Sequence, residues 1–122
     1  MTLLVAIVDD EASVRVGLRR LCEALGFRTA LYASGPQLLE SLTTDAPRPD
    51  CLLLDAHMPD MSGLELLQQL ATGSRDIPTI VFTADDVPEV QARYHAAGVT
   101  EYMHKPIIGE ELREAIERVS GK

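Results

Sequence analysis

Leu3-Leu4-Val5-Ala6-Ile7-Val8-Asp9-Asp10 is an apolar run that ends abruptly on two carboxylates. It has no polar alternation, so it reads as a strand covered on both faces, the kind found inside a parallel sheet. The pattern recurs twice: Cys51-Leu52-Leu53-Leu54 stops at Asp55, and Thr79-Ile80-Val81-Phe82 stops at Thr83. Weaker runs occupy residues 28–32 and 99–103, the second leading to His104 and Lys105. Between the runs the apolar spacing is helical. Val14, Leu18, Leu21, Cys22 and Leu25 share one face, and Gly26 follows as a stop. Ser34-Gly35-Pro36-Gln37 and Ser62-Gly63-Leu64-Glu65 read as capping boxes that open helices over 36–42 and 63–71. Asp86-Val87-Pro88-Glu89 is a similar opening, for a helix over 87–97 stopped by Gly98. Leu112, Ala115, Ile116 and Val119 form the stripe of a last helix, with a charged face around it. Ile108-Gly109 offers that helix no side-chain cap, which moves its expected start downstream.

Strand and helix thus alternate through 122 residues without a linker or a composition shift, the only breaker-rich stretch being 43–50. That order implies one α/β domain, a parallel sheet with helices on both faces. The net charge of −8 argues against a nucleic-acid footprint, which needs a basic surface. No apolar run approaches the roughly 18 residues of a membrane span, and Met1-Thr2-Leu3 has no basic leader region. Cys22 and Cys51 lie in apolar stretches without a Cys-x-x-Cys pair, which fits buried reduced thiols and a cytoplasmic protein.

The chemistry lies where the strands stop. In an open parallel sheet every strand's carboxyl end points to one edge, where ligands bind. Asp9, Asp10, Asp55, Thr83 and Lys105 therefore converge there despite their separation in sequence. Three carboxylates in one crevice repel each other, and a hard divalent cation with oxygen ligands relieves the repulsion; Mg²⁺ fits best. A hydroxyl and an ammonium opposite it suit an anionic group. A carboxylate can itself be the nucleophile that forms an aspartyl phosphate, and Asp55, ending a central strand, is the candidate. Singly, each residue has a commonplace alternative: Asp10 or Ser13 capping the first helix, Thr83 an ordinary strand residue, Lys105 a surface lysine at a turn. Joint placement at like-facing strand ends distinguishes the set.

Val8-Asp9-Asp10-Glu11, Leu54-Asp55-Ala56-His57-Met58-Pro59 with Gly63, Phe82-Thr83-Ala84, and Tyr102-Met103-His104-Lys105-Pro106 carry a resemblance over essentially the whole chain. In this order the set resembles the CheY-like receiver domains of two-component response regulators, with features of the FixJ-like subgroup. The resemblance implies a flavodoxin-like (βα)5 fold, strand order 2-1-3-4-5, an order for which a member of this family is itself a standard illustration. It implies that Asp55 is phosphorylated by a sensor histidine kinase or phosphotransfer protein. Asp10, Asp55 and the backbone carbonyl of His57 would bind Mg²⁺ (Mn²⁺ as a substitute), with Asp9 acting through water. Thr83 and Lys105 would hold the phosphoryl group, and Lys105–Pro106 would be a cis bond. Tyr102 would turn inward with Thr83 and reshape the face of helix 4, strand 5 and helix 5, the surface expected to control homodimerisation or an output. By itself Tyr102 reads as a half-buried strand residue.

Residues 1–122 are thus expected to be one receiver domain with no output domain within the chain. DNA contact, if any, would belong to such an absent domain, and no membrane or nucleic-acid partner is expected of this one. Enzymatic activity is expected to be limited to the chain's own phosphorylation and dephosphorylation. A Mg²⁺-dependent phosphohydrolase is an alternative, but Asp55-Ala56-His57 lacks the Asp-x-Asp of such enzymes. A nucleotide or flavin module lacks its glycine-rich loop. A scaffold that is never phosphorylated would not need the complete acidic, hydroxyl and lysine set.

Overall fold

The computed structural model describes residues 2–56, 58, 61–73, 77–84 and 87–121. Among these residues five strands and five helices alternate strictly. They are β1 (Leu4–Val8), α1 (Ala12–Ala24), β2 (Arg28–Tyr32), α2 (Gly35–Ser41), β3 (Cys51–Asp55), α3 (Gly63–Thr72), β4 (Thr79–Thr83), α4 (Pro88–Ala96), β5 (Glu101–His104) and α5 (Gly109–Val119). The sheet is parallel with order β2-β1-β3-β4-β5, as the resemblance implies.

Burial follows from that order. The three inner strands β1, β3 and β4 are buried at every position, whereas the edge strands β2 and β5 are mostly half-buried. Alternate side chains of each inner strand enter different cores. Ala6, Val8, Leu52, Leu54 and Val81 pack with Leu38, Leu66, Leu70 and Tyr94 on the face of α2, α3 and α4. Val5, Ile7, Cys51, Leu53, Ile80 and Phe82 pack with Leu18, Cys22, Leu112 and Ile116 on the face of α1 and α5. Asp50 ties the loop before β3 to the start of β1: its Oδ2 accepts the Leu4 N–H at 2.8 Å, and its own N–H donates to the Leu4 carbonyl at 2.8 Å.

Helix boundaries follow the sequence signals with informative exceptions. Ser62 and Glu65 form the full capping box at α3. At α2, Ser34 accepts the Gln37 N–H, but Gln37 Oε1 reaches past the cap residue to the Ala33 N–H at 2.9 Å. Gly26 and Gly98 follow their helices with φ of 96° and 92°, the left-handed region that ends a helix without a Cβ clash. Neither Asp10 nor Ser13 caps α1: Glu11 holds the cap position, with no side-chain hydrogen bond. The expected late start of α5 is also corrected. The helix begins at Gly109, although its cap residue Ile108 supplies no side-chain bond. The Ile108 carbonyl accepts the Leu112 N–H at 2.9 Å, Glu110 and Glu111 suit the positive end of the helix dipole, and buried Leu112 anchors the first turn. Val87, expected as the first residue of α4, is instead its cap position, and Asp86 lies outside the described residues.

Candidate functional site

Two strands run one residue beyond their apolar stretches, which brings functional side chains into the sheet. Asp55 is the last residue of β3 and pairs with Phe82; Thr83 is the last of β4 and pairs with His104. Asp9 and Asp10 follow β1 directly, and the Asp9 N–H donates to the Tyr32 carbonyl, so the chain keeps strand-like pairing until it turns into α1. The result is the expected crevice at the carboxyl edge. Asp9, Asp55 and Thr83 are buried, whereas Asp10 is exposed at the mouth.

One carboxylate oxygen from each of Asp9, Asp10 and Asp55 lies within 4.8 Å of the others. Asp9 is the informative member. Its Oδ1 accepts the Glu11 N–H at 2.8 Å, but its Oδ2 is buried with no hydrogen-bond partner among the described residues. Its pKa is pushed up to about 6, chiefly because burial strips water from the carboxylate. The Glu11 N–H opposes that rise, the Asp55 charge adds to it, Lys105 opposes it, and Asp10 adds a little more. The Glu11 N–H and Lys105 therefore compensate an ionised Asp9 only in part. Oxygen donors at this spacing, one of them buried and unsatisfied, fit a small divalent cation such as Mg²⁺.

Lys105 reaches the crevice from the end of β5. Its N–H donates to the Thr83 carbonyl at 2.8 Å, which carries strand pairing one residue further. Its Nζ sits 5.1 Å from the centre of the Phe82 ring, and its charge is felt at Asp9. The Lys105–Pro106 bond is cis. Tyr102 is half-buried on β5 beside Tyr94, His95 and His104, with ring centres 5.9, 6.2 and 5.6 Å away. His57, expected to contribute a carbonyl, lies outside the described residues.

Two contacts at the site have no signal in the sequence pattern. Arg15 Nη1 donates to the Asp9 carbonyl at 2.6 Å and braces the turn between β1 and α1. The Tyr94 hydroxyl donates to the Ala56 carbonyl at 2.9 Å, directly after Asp55. Tyr94 stands out in the sequence only as part of the apolar stripe of α4.

A five-stranded parallel sheet wound on both sides, with three carboxylates gathered at its carboxyl edge, defines a domain of the flavodoxin-like class with an acidic pocket. The chain belongs to the response regulator receiver domain family, whose match covers residues 5–117. Response regulator MprA of Mycobacterium ulcerans (strain Agy99) is 38% identical over 112 residues, 92% of this chain and 47% of that protein. The chain thus spans about half the length of such relatives. Among solved structures, FixJ-N superposes with a TM-score of 0.90 at 36% identity, covering 99% of this chain and 95% of that one. A response regulator receiver protein from Burkholderia phymatum gives 0.85 at 36% identity, with 98% and 96% covered. Membership makes the domain a phosphorylation-activated switch of two-component signalling. Receiver domains bind Mg²⁺ in an acidic pocket, and Asp9, Asp10 and Asp55 form such a pocket here. No helix among the described residues is long and apolar enough to cross a membrane.

Proposed function

We propose that Asp55 is the phosphoacceptor, and that a sensor histidine kinase or phosphotransfer protein supplies the phosphoryl group. A carboxylate oxygen of Asp55 attacks phosphorus while the phosphorus–nitrogen bond of the donor phosphohistidine breaks, and the imidazole leaves with the bonding electron pair. Asp10 and Asp55, with the backbone carbonyl of residue 57, would hold Mg²⁺, and Asp9 would act on it through water; Mn²⁺ would substitute. When bound, the ion supplies positive charge against the phosphoryl oxygens. Lys105 pairs with those oxygens from the opposite side, and the Thr83 hydroxyl donates to them. The same residues, with a water in line, return Asp55 to the free carboxylate, so catalysis is confined to the chain's own phosphorylation and dephosphorylation.

The observation that carries this reading is the convergence of a carboxylate oxygen from each of Asp9, Asp10 and Asp55 within 4.8 Å, beside a buried Asp9 Oδ2 that has no hydrogen-bond partner among the described residues. Movement of Thr83 toward the phosphoryl group would draw Tyr102 inward. Tyr102 is half-buried against Tyr94, so its ring can report that change to the surface formed by α4, β5 and α5. That surface would then control homodimerisation or an output. Residues 1–122 would serve as the receiver unit of a transcriptional regulator or act as a stand-alone receiver in the cytoplasm. Any DNA contact would be made by a separate output domain, not by these residues.

The test is intact-protein mass after incubation with acetyl phosphate and Mg²⁺, beside Asp55→Asn and an EDTA control. A gain of one phosphoryl group that needs both the metal and Asp55 is expected. Uptake by Asp55→Asn at the wild-type level would overturn the assignment. Absence of uptake together with an NMR spectrum unmoved by beryllium fluoride and Mg²⁺ would favour a scaffold.

A further inference from the structure

α4 has a single buried residue, Tyr94, and that residue crosses toward the phosphoacceptor end of the sheet. Its hydroxyl donates to the Ala56 carbonyl at 2.9 Å across 38 positions of sequence. The Leu64 N–H, in the first turn of α3, faces the same phenol oxygen. One oxygen on α4 thus meets both the chain leaving β3 and the start of α3. Gly63 makes room for it: a Cβ there would lie 2.8 Å from the Tyr94 hydroxyl and 3.1 Å from the Asp55 carbonyl oxygen. A side chain there would have to displace the Tyr94 hydroxyl and crowd the Asp55 carbonyl.

The Ala56 carbonyl belongs to the peptide that follows Asp55. An acceptor held by a buried hydroxyl has one favourable orientation, whereas a loop carbonyl without such a partner samples several. Holding that peptide restricts the directions available to the main chain as it leaves Ala56, and with it the carboxylate of Asp55 one residue before. A phenylalanine would keep the ring in the core and lose the hydroxyl, with its bond to the Ala56 carbonyl and the one it accepts from the Leu64 N–H.

We propose that Tyr94 is a positioning residue for the Asp55 pocket, its hydroxyl orienting the main chain after Asp55 so that the pocket is preformed for Mg²⁺. The proposal rests on the reading of Asp55 as the phosphoacceptor of a Mg²⁺-binding site. Tyr94 touches neither the ion nor the phosphoryl group; it acts through the Ala56 carbonyl. The seating of α4 and the shape of the pocket are then linked through one hydrogen bond, separate from the path through Thr83 and Tyr102.

The test is an NMR titration of the protein with Mg²⁺ alone, comparing wild type with Tyr94→Phe, Gly63→Ala and the double variant. Removal of a group that orients the surroundings of a metal site typically weakens the metal by about tenfold or more, and a rise of about that size in the Mg²⁺ dissociation constant is expected for Tyr94→Phe. A purely structural role would lower the melting temperature without moving the affinity of the folded protein. Gly63→Ala, which displaces the hydroxyl while keeping the ring, is expected to weaken Mg²⁺ as well. Adding Tyr94→Phe to it should then weaken binding little further, because one restraint is lost only once. An affinity in folded Tyr94→Phe within about twofold of wild type, far below that typical effect, overturns the proposal. Should that variant not fold, unchanged affinity in Gly63→Ala overturns it. Wild-type protein that binds no Mg²⁺ overturns the pocket reading and this proposal together, whereas normal wild-type binding with an indifferent Tyr94→Phe removes only the role of Tyr94.

Discussion

The backbone N–H of Glu11 donates to Oδ1 of Asp9 at 2.8 Å, while Oδ2 of the same carboxylate is buried without a hydrogen-bond partner among the described residues. One half of the group is satisfied and the other is not, and burial pushes its pKa up from 3.8 to about 6. A carboxyl group whose pKa is raised by folding binds its proton more tightly in the native state. Its contribution to stability is complete below pH 3.8 and is lost as pH rises through about 6. Without metal, Asp9→Asn should therefore be more stable than wild type at pH 7.5, by roughly 1 kcal/mol once water access at the pocket mouth is allowed for. The advantage should shrink by pH 5. Urea melts of both proteins at the two pH values, in EDTA, check this; an advantage that grows toward pH 5 would contradict the electrostatic account of Asp9.

A cation that binds the native pocket and not the unfolded chain stabilises the fold in proportion to the logarithm of its saturation. At about 100 times its dissociation constant the gain is about 2.7 kcal/mol. Mg²⁺ should therefore raise the melting temperature of wild type, with a much smaller rise in Asp10→Asn and Asp55→Asn. Each of those substitutions removes a carboxylate from the cluster. Differential scanning calorimetry with and without Mg²⁺ measures the effect. Equal shifts in all three proteins would place the ion elsewhere on the acidic surface.

Lys105 and Thr83 are expected to fail differently. Lys105→Ala removes a charge opposite the transferred group and should slow phosphorylation from acetyl phosphate by on the order of 10²-fold, the usual loss for one electrostatic donor. Thr83→Ala should leave transfer closer to wild type but cut the link to Tyr102. Its beryllium fluoride complex should then show shifts near Asp55 with little change at Tyr102 and along α4. Rates by mass spectrometry and shifts by NMR separate the two roles. Full propagation to Tyr102 in Thr83→Ala would show that the signal takes another route.

What was legible in the sequence tracks what the physics makes local. The runs ending at Asp55 and Thr83 are uniformly apolar because β3 and β4 are buried on both faces, so their ends were evident from composition. β2 and β5 lie at the sheet edges, where half-burial blurs the pattern. Convergence of Asp9, Asp10 and Asp55 needed only the rule that parallel strands end on one side. The early start of α5 was hidden because the hold comes from Leu112 in the core and not from a cap residue. The contact of Tyr94 with Ala56 was hidden for a similar reason: the partner is 38 positions away, and the apolar face of α4 is too weak to show that one residue carries its packing.

The two cysteines give a measure of how often the core beside the pocket opens. Cys22 on α1 and Cys51 on β3 are free and fully buried in the same core. Burial pushes both thiols up to about 12, with a smaller contribution from neighbouring Glu23 for Cys22 and from Cys22 and Asp50 for Cys51. At pH 8 only roughly one native thiol in 10⁴ is then the reactive thiolate, and the core between the sheet and α1 denies reagents access as well. Modification by a disulfide reagent such as DTNB should therefore proceed only through opening, with both thiols reacting promptly in denaturing urea and slowly in native buffer. Mg²⁺, by stabilising the closed native state, should slow the native reaction further wherever global opening limits it. Prompt reaction of either thiol in native buffer would show that α1 separates from the sheet far more readily than its packing implies.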